Sequence, residues 1–198
     1  MDQPTLKAYS DKASTYSQDW LTQPEPTDMY QLLQKYFTSG GTTVDIGCGN
    51  GHDAEWLRQQ GFKVQGFDSS SELLTIATNL FPKIKFGQAL LPALSEIQEQ
   101  FDNILCETVI MHLPLKQIPE ALQNLKRLLK SSGILYLSWR VTEVTDARHN
   151  DGRLYSAFEP SYILDQFPKN SILHFEDKTS TSSGKRVCRL IYRAEQSD

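Results

Sequence analysis

The chain has 198 residues, of which 39% are hydrophobic and 22% charged, with a formal net charge of −4. That is one domain's length with the composition of a soluble globular protein, which excludes wholesale disorder. No Lys/Arg run is dense enough to track a phosphate backbone, and no apolar stretch is long enough for a bilayer helix. The opening residues, MDQPTLKAYSDK, lack the apolar segment of a secretion signal. The expectation is a cytoplasmic chain with no direct nucleic-acid and no membrane partner. Cys48, Cys106 and Cys188 are too few and too far apart for a disulfide framework or a zinc site, and read as small buried residues.

Residues 1–28 are polar and punctuated by Pro4, Pro24 and Pro26. They carry one helical pattern, Leu6 to Leu21, which puts Tyr9 and Tyr16 on one face. MYQLLQKYFT (29–38) reads as an amphipathic helix stopped by Ser39-Gly40-Gly41. TTVDIGCG is a β-branched apolar run ending in glycines, as a buried strand would. Residues 51–60 read as a helix, FKVQGFD (62–68) as a second strand, and Ser69 to Leu80 as a helix with a serine cap. KIKFGQA (83–89) is a third strand, and LPALSEIQEQ a short helix or turn. A fourth strand covers 103–107. The clearest helix covers 115–130, with Ile118, Leu122, Leu125, Leu128 and Leu129 at helical spacing and Ser131-Ser132-Gly133 as its stop. GILYLSWR is the fifth strand. A polar segment (141–158) and a helix (159–167) follow. The runs SILHFEDKTST and KRVCRLIYRAE around Ser182-Ser183-Gly184 read as an antiparallel hairpin. Strand–helix alternation up to Arg140 implies a doubly wound, mainly parallel α/β sheet with helices on both faces.

The most informative stretch is Val44-Asp45-Ile46-Gly47-Cys48-Gly49-Asn50-Gly51. Glycines between a strand and a helix let a ligand approach bare backbone. A dinucleotide fingerprint needs a glycine where His52 stands. Asp45 at the strand's end would repel a diphosphate and attract an ammonium group. Asp68, ending the second strand 21 residues after Gly47, can accept both hydroxyls of a ribose. A ribose, a cationic arm and no diphosphate describe S-adenosylmethionine.

With VDIGCGNG, GFD at 66–68, FDNILCETVIMHL at 101–113 and LKRLLKSSGILYLSW at 125–139, the chain resembles the class I S-adenosylmethionine-dependent methyltransferases over residues 42–140. The resemblance implies a Rossmann-like seven-stranded sheet and a single domain, with residues 1–38 as a helical lid and 39–198 as the cofactor-binding core. It implies that Gly47, Cys48 and Gly49 meet the methionine part of S-adenosylmethionine, with Asp45 near its ammonium. It puts Asp68 and Ser69 at the ribose, Gln88, Ala89 and Leu90 at the adenine, and Glu107 below the methionyl part. Gln88 stands where the family commonly has Asp, and its carbonyl can still pair with the exocyclic amine.

His112, after the fourth strand, and Tyr16, in the lid, are the candidate catalytic residues near the methyl group. Arg140, Arg148 and Arg153 fall in the family-variable region and are candidate substrate residues, with Arg148 and Arg153 as a clamp on an anionic acceptor. Structural roles compete at each position: His112 as a hydrogen-bonded loop residue, Tyr16 as packing, the arginines as a solvated loop. The expected activity is methyl transfer to a small molecule by a monomer or homodimer without a metal. Alternatives are a protein or RNA methyltransferase with a partner subunit, and a non-catalytic cofactor-binding regulator. An NPPY-type motif is absent, Glu107-Thr108-Val109-Ile110 standing in its place.

Overall fold

The structure is a computed structural model that describes residues 1–142 and 145–196; residues 143 and 144, in the polar segment, and 197 and 198 lie outside them. Two helices open the chain, α1 (Gln3–Asp11) and α2 (Ala13–Thr22). The single helix expected from Leu6 to Leu21 breaks at Lys12, whose φ of −117° is not helical. The phenols nonetheless converge, with Tyr9 and Tyr16 rings 5.1 Å apart. Asp2 starts α1 by accepting the Thr5 N–H at 3.0 Å, which satisfies a free donor of the first turn. Helix α3 (Thr27–Tyr36) follows.

The core alternates β1 (Thr42–Ile46), α4 (His52–Gln59), β2 (Lys63–Asp68), α5 (Ser71–Leu80), β3 (Lys85–Gln88) and β4 (Phe101–Cys106). It continues through α6 (Ile118–Arg127), β5 (Leu129–Arg140), the short β6 (Ala147–Arg148) and β7 (Leu154–Tyr155), and α7 (Pro160–Leu164). It closes with β8 (Ile172–Thr179) and β9 (Arg186–Arg193). Seven strands form one sheet in the order β3-β2-β1-β4-β5-β9-β8. The first five run parallel, and β9 is antiparallel to both β5 and β8. This is the expected doubly wound sheet with its C-terminal hairpin.

The pleat sends alternate residues to opposite faces. On one face Leu105, Tyr136 and Ile191 pack under Met29, Leu33 and Leu57 from α3 and α4. On the other, Ile104, Cys106, Leu135 and Leu137 pack with Ile118, Leu122 and Leu125 of α6. Leu122 and Leu125 are fully enclosed, and each such burial is worth about 1.5–3 kcal/mol.

Three expectations are corrected. The helix expected over 115–130 is a 3₁₀ turn at Leu115–Gln117 followed by α6, which ends at Arg127. Ser131-Ser132-Gly133 lies inside β5, where the pairing with β4 slips between Phe101 and Asn103. Gly133 permits this because a Cβ there would stand 3.1 Å from the Phe101 carbonyl oxygen. Of the two forms expected for LPALSEIQEQ, the chain takes the turn, tied down where Arg127 donates to the Leu94 and Ile97 carbonyls at 3.1 and 3.3 Å. The polar segment contains the β6–β7 hairpin, whose pairs Ala147–Tyr155 and Arg148–Leu154 are too few to leave a periodic pattern.

Candidate active site

The parallel register puts Asp45 beside Gly66 and Leu105, so the carboxyl ends of β1, β2 and β4 open at one level. The chain leaves β1 through Gly47 and Gly49, at φ +76° and +54°, a region that glycine enters freely. A Cβ on Gly47 would collide with Val109, and one on Gly49 would stand 2.8 Å from the Trp20 ring. The Gly47 and Cys48 N–H groups both donate to the Phe67 carbonyl, at 2.7 and 3.0 Å, which locks the loop to the end of β2.

Above these ends lies a cavity of about 360 Å³, within the range of small-molecule sites. Its wall includes Gly47, Cys48, Gly49, Asp68, Ser69 and Ala89. Helices α1 and α2 close it from above with Tyr9 and Trp20, and the β8–β9 turn contributes Ser182 and Lys185. The cover is bonded to the core at several points: Asn50 Nδ2 donates to the Ser17 carbonyl at 3.2 Å, and the Leu154 N–H to Thr5 Oγ1 at 2.8 Å.

Charge is divided across the cavity. The acids Asp68 and Glu107 come from the ends of β2 and β4, and Asp53 from the first turn of α4. The cations Arg140, Arg153 and Lys185 come from β5, the β6–β7 hairpin and the β8–β9 turn. Asp45 lies outside the wall, 3% exposed, and its Oδ2 has no hydrogen-bond partner among the described residues. Burial pushes its carboxyl well above the usual range, and the charges of Asp53, Asp68 and Glu107 add to the effect. A buried, unpaired carboxylate oxygen beneath a glycine loop suits a cationic group. Asp68 accepts the Gly49 N–H at 2.9 Å and the Ser70 N–H at 2.8 Å. Burial raises its pKa, and these donors oppose the rise. Glu107, raised by burial, accepts from the Ser138 hydroxyl.

The third strand end differs in detail from expectation. Ala89 and Leu91 line the cavity, whereas Gln88 and Leu90 do not. Exposed Gln88 donates its amide to the Ser69 carbonyl at 2.8 Å.

The structure brings His112 into the wall and leaves Tyr16 out of it. Tyr16 donates to Asp151 Oδ2 at 2.8 Å and stacks on Trp20. Tyr9 takes the position expected of Tyr16: it faces the cavity, and its hydroxyl is 2.9 Å from His112 Nε2. The helix break at Lys12 turns the two phenols differently, which seven-residue spacing on a continuous helix does not anticipate.

The arginine clamp is corrected as well. Arg148 lies outside the cavity, in a bidentate pair with Asp2 at 2.9 Å, and donates to the Gly152 carbonyl. Arg153 does line the cavity, held by Asp151 at 2.9 Å with its guanidinium 4.8 Å from the Tyr16 ring centre. Arg140 lines it too, 5.3 Å from the Tyr155 ring centre. Arg148 shares a face with its cross-strand partner Leu154, and Arg153, one residue before Leu154, points to the other, so the two arginines do not converge. Trp20, Asp53, Tyr155 and Lys185 also line the site. No local sequence pattern marks them, because packing across elements brings them there.

Among the described residues no group of three His, Cys, Asp or Glu is placed to hold a metal ion. No helix among them is long and apolar enough to cross a membrane. All three cysteines are free and buried.

A family model described as a methyltransferase domain matches residues 43–133. A ubiquinone biosynthesis O-methyltransferase of Coxiella burnetii is 27% identical over 184 residues, covering 86% of this chain and 74% of that one. A Burkholderia thailandensis 1,6-didemethyltoxoflavin-N1-methyltransferase, solved with 1,6-didemethyltoxoflavin and S-adenosylhomocysteine, superposes with a TM-score of 0.76 at 15% identity, covering 98% of this chain and 88% of that one. An S-adenosylmethionine-dependent methyltransferase of Methanosarcina mazei gives 0.70 at 16% identity, covering 84% and 98%. At such identities the solved structures speak for the fold.

Proposed function

From the methyltransferase-domain match over residues 43–133 and the likeness in fold to S-adenosylmethionine-dependent methyltransferases, we propose that the chain is a class I S-adenosylmethionine-dependent methyltransferase that methylates a small-molecule acceptor. The carrying observation is the covered cavity of about 360 Å³, acidic at the ends of β2 and β4 and cationic at β5 and the two hairpins. A site closed over by its own N-terminal helices suits a small acceptor better than a folded macromolecule. The likeness to the Coxiella ubiquinone biosynthesis O-methyltransferase points the same way.

When bound, S-adenosylmethionine supplies an electrophilic methyl group on a sulfonium. In our reading the backbone of Gly47, Cys48 and Gly49 receives the methionine part. The free Asp45 oxygen and Glu107 complement the ammonium. Asp68, with Ser69 beside it, holds the ribose, and Ala89 and Leu91 flank the adenine, with Gln88 fixing the Ser69 carbonyl. Helices α1 and α2 act as the lid, excluding water and aligning the acceptor; placement of that kind can lower a barrier by about 7–11 kcal/mol. Arg140 and Arg153 face the acceptor.

Calorimetry with S-adenosylmethionine, followed by an assay of S-adenosylhomocysteine release over a metabolite panel, tests the reading. Binding with acceptor-dependent release supports it. Failure to bind, or binding without release on any acceptor, overturns it.

A further inference from the structure

Resting on that reading, we propose that Tyr9 and His112 form a proton path out of the acceptor end of the cavity, and that the acceptor atom is the oxygen of a protonated hydroxyl. His112 is 4% exposed and bonded at both ring nitrogens. Its Nδ1 lies 2.6 Å from the Leu154 carbonyl oxygen, which can only accept, so Nδ1 carries the proton. Its Nε2 is then a lone pair, and the Tyr9 hydroxyl donates to it at 2.9 Å. The tautomer is thus fixed by the backbone of β7, and the direction of the Tyr9 hydroxyl by the tautomer.

With its proton committed to His112 and one oxygen lone pair taken by the Arg153 guanidinium, Tyr9 has a second lone pair left for another donor. Both side chains line the cavity, but the basic nitrogen of His112 is already capped by Tyr9. Tyr9 is therefore the residue that meets the acceptor, with His112 behind it. An acceptor O–H donates to Tyr9 Oη. As the acceptor oxygen bonds to the methyl carbon, the electron pair of the broken carbon–sulfur bond stays on sulfur. The acceptor's proton passes to Tyr9 Oη, and the Tyr9 proton passes to His112 Nε2. His112 ends doubly protonated, still donating Nδ1–H to Leu154.

The groups facing His112 are Tyr9 from α1, Tyr155 and the Leu154 carbonyl from β7, Arg153 beside them, Arg140 from β5, and His149. Burial, with Arg153, Arg140 and His149 nearby, pushes its imidazole down to about 4. Such a weak base cannot ionise a free phenol. It can take the proton of an oxygen already gaining a methyl group, because that proton has become strongly acidic. The positive charge gained at His112 balances the one lost at sulfur. Thiols ionise near neutrality, and methylated amines remain stable as ammonium ions, so neither calls for this path.

The test uses phenols and thiophenols of matched substitution as probe acceptors, with wild type and Tyr9→Phe. We expect turnover on phenols, falling about 10²-fold or more in Tyr9→Phe, with a much smaller loss on thiophenols. At saturating S-adenosylmethionine, phenol turnover should be flat above about pH 5, since His112 is neutral there. Independently of turnover, histidine ¹⁵N spectra should show His112 with Nδ1–H and a bare Nε2. An Nε2–H tautomer, an equal loss on phenols and thiophenols, or turnover on thiols or amines alone overturns the path. Failure of wild type to bind S-adenosylmethionine defeats the methyltransferase reading itself. Binding with no phenol turnover defeats only this inference.

Discussion

Asp68 and Gly49 are joined across the tips of neighbouring strands, the carboxylate Oδ2 accepting the Gly49 N–H at 2.9 Å while Oδ1 accepts the Ser70 N–H at 2.8 Å. One side chain thereby ties the glycine loop to the end of β2 and starts α5. Asp68→Ala leaves two buried donors unpaired, at a cost of about 1–3 kcal/mol each. We expect a measurable drop in melting temperature and at least a tenfold loss of S-adenosylmethionine affinity, about 1.4 kcal/mol. Asp68→Asn keeps an acceptor oxygen and should recover part of the stability. Calorimetry on the two variants and wild type measures both quantities; undiminished affinity in Asp68→Ala would remove the ribose role.

Asp45 supports a prediction about protons. Its buried carboxyl is raised well above the ordinary range while none of the described residues neutralises it. An ammonium group nearby favours the ionised form. Cofactor binding should therefore release protons, and affinity should rise with pH through the range where free Asp45 titrates. Calorimetry over a series of pH values in buffers of different ionisation enthalpy reads the release directly. Asp45→Asn should abolish most of it and weaken binding. Release unchanged in that variant would point to another group.

Most of this framework was legible from residues alone, because strand ends and glycines carry local signals. Gly47, Gly49, Asp45 and Asp68 sit where a strand–turn–helix pattern puts them. The acceptor end was legible only in part: His112, Arg140 and Arg153 line the cavity as expected. Tyr9 and Tyr16 exchange roles because Lys12 breaks the helix, a tertiary choice with no Pro or Gly to announce it. Arg148 and Arg153 look like a pair in sequence, yet two-stranded pairing sends one to Asp2 and the other into the cavity. Lys185 reaches the site only because β9 crosses beside β5.

His112 also predicts the acid sensitivity of the fold. Its imidazole sits at about 4 in the folded chain, against about 6.5 when unfolded. Between those values the unfolded chain binds more protons, so stability rises with pH. The contribution is complete above about pH 6.5 and is lost as pH falls toward 4, a span of about 3 kcal/mol. Raised carboxyls such as Asp45 slope the opposite way, so the comparison must be differential. Urea unfolding of wild type and His112→Gln from pH 7 down to pH 4 should show the stability difference changing across this window. A constant difference would mean that His112 is not buried neutral.

A last prediction concerns Arg189, which is fully enclosed on β9 and bonds Asp28 at 2.8 Å and Glu176 at 2.9 Å. Burial opposes ionisation of both acids, yet Arg189 and their other partners hold each below the usual carboxylate range. Asp28 also accepts the Thr181 hydroxyl at 2.8 Å, in the turn whose Ser180, Ser182 and Lys185 line the cavity. Arg189→Met deletes the enclosed charge and leaves Asp28 and Glu176 with only the half-exposed Lys178, 3.9 and 3.1 Å away, to offset their repulsion. Removing one partner of a buried ion pair typically costs about 3–5 kcal/mol, and urea unfolding should show a loss of that size. The turn should loosen as well, lowering S-adenosylmethionine affinity although residue 189 does not line the cavity. Adding Asp28→Asn and Glu176→Gln removes the repulsion and should restore much of the stability. If the triple variant is no more stable than Arg189→Met, stranded charge is not the cause of the loss, and the arginine acts by packing alone.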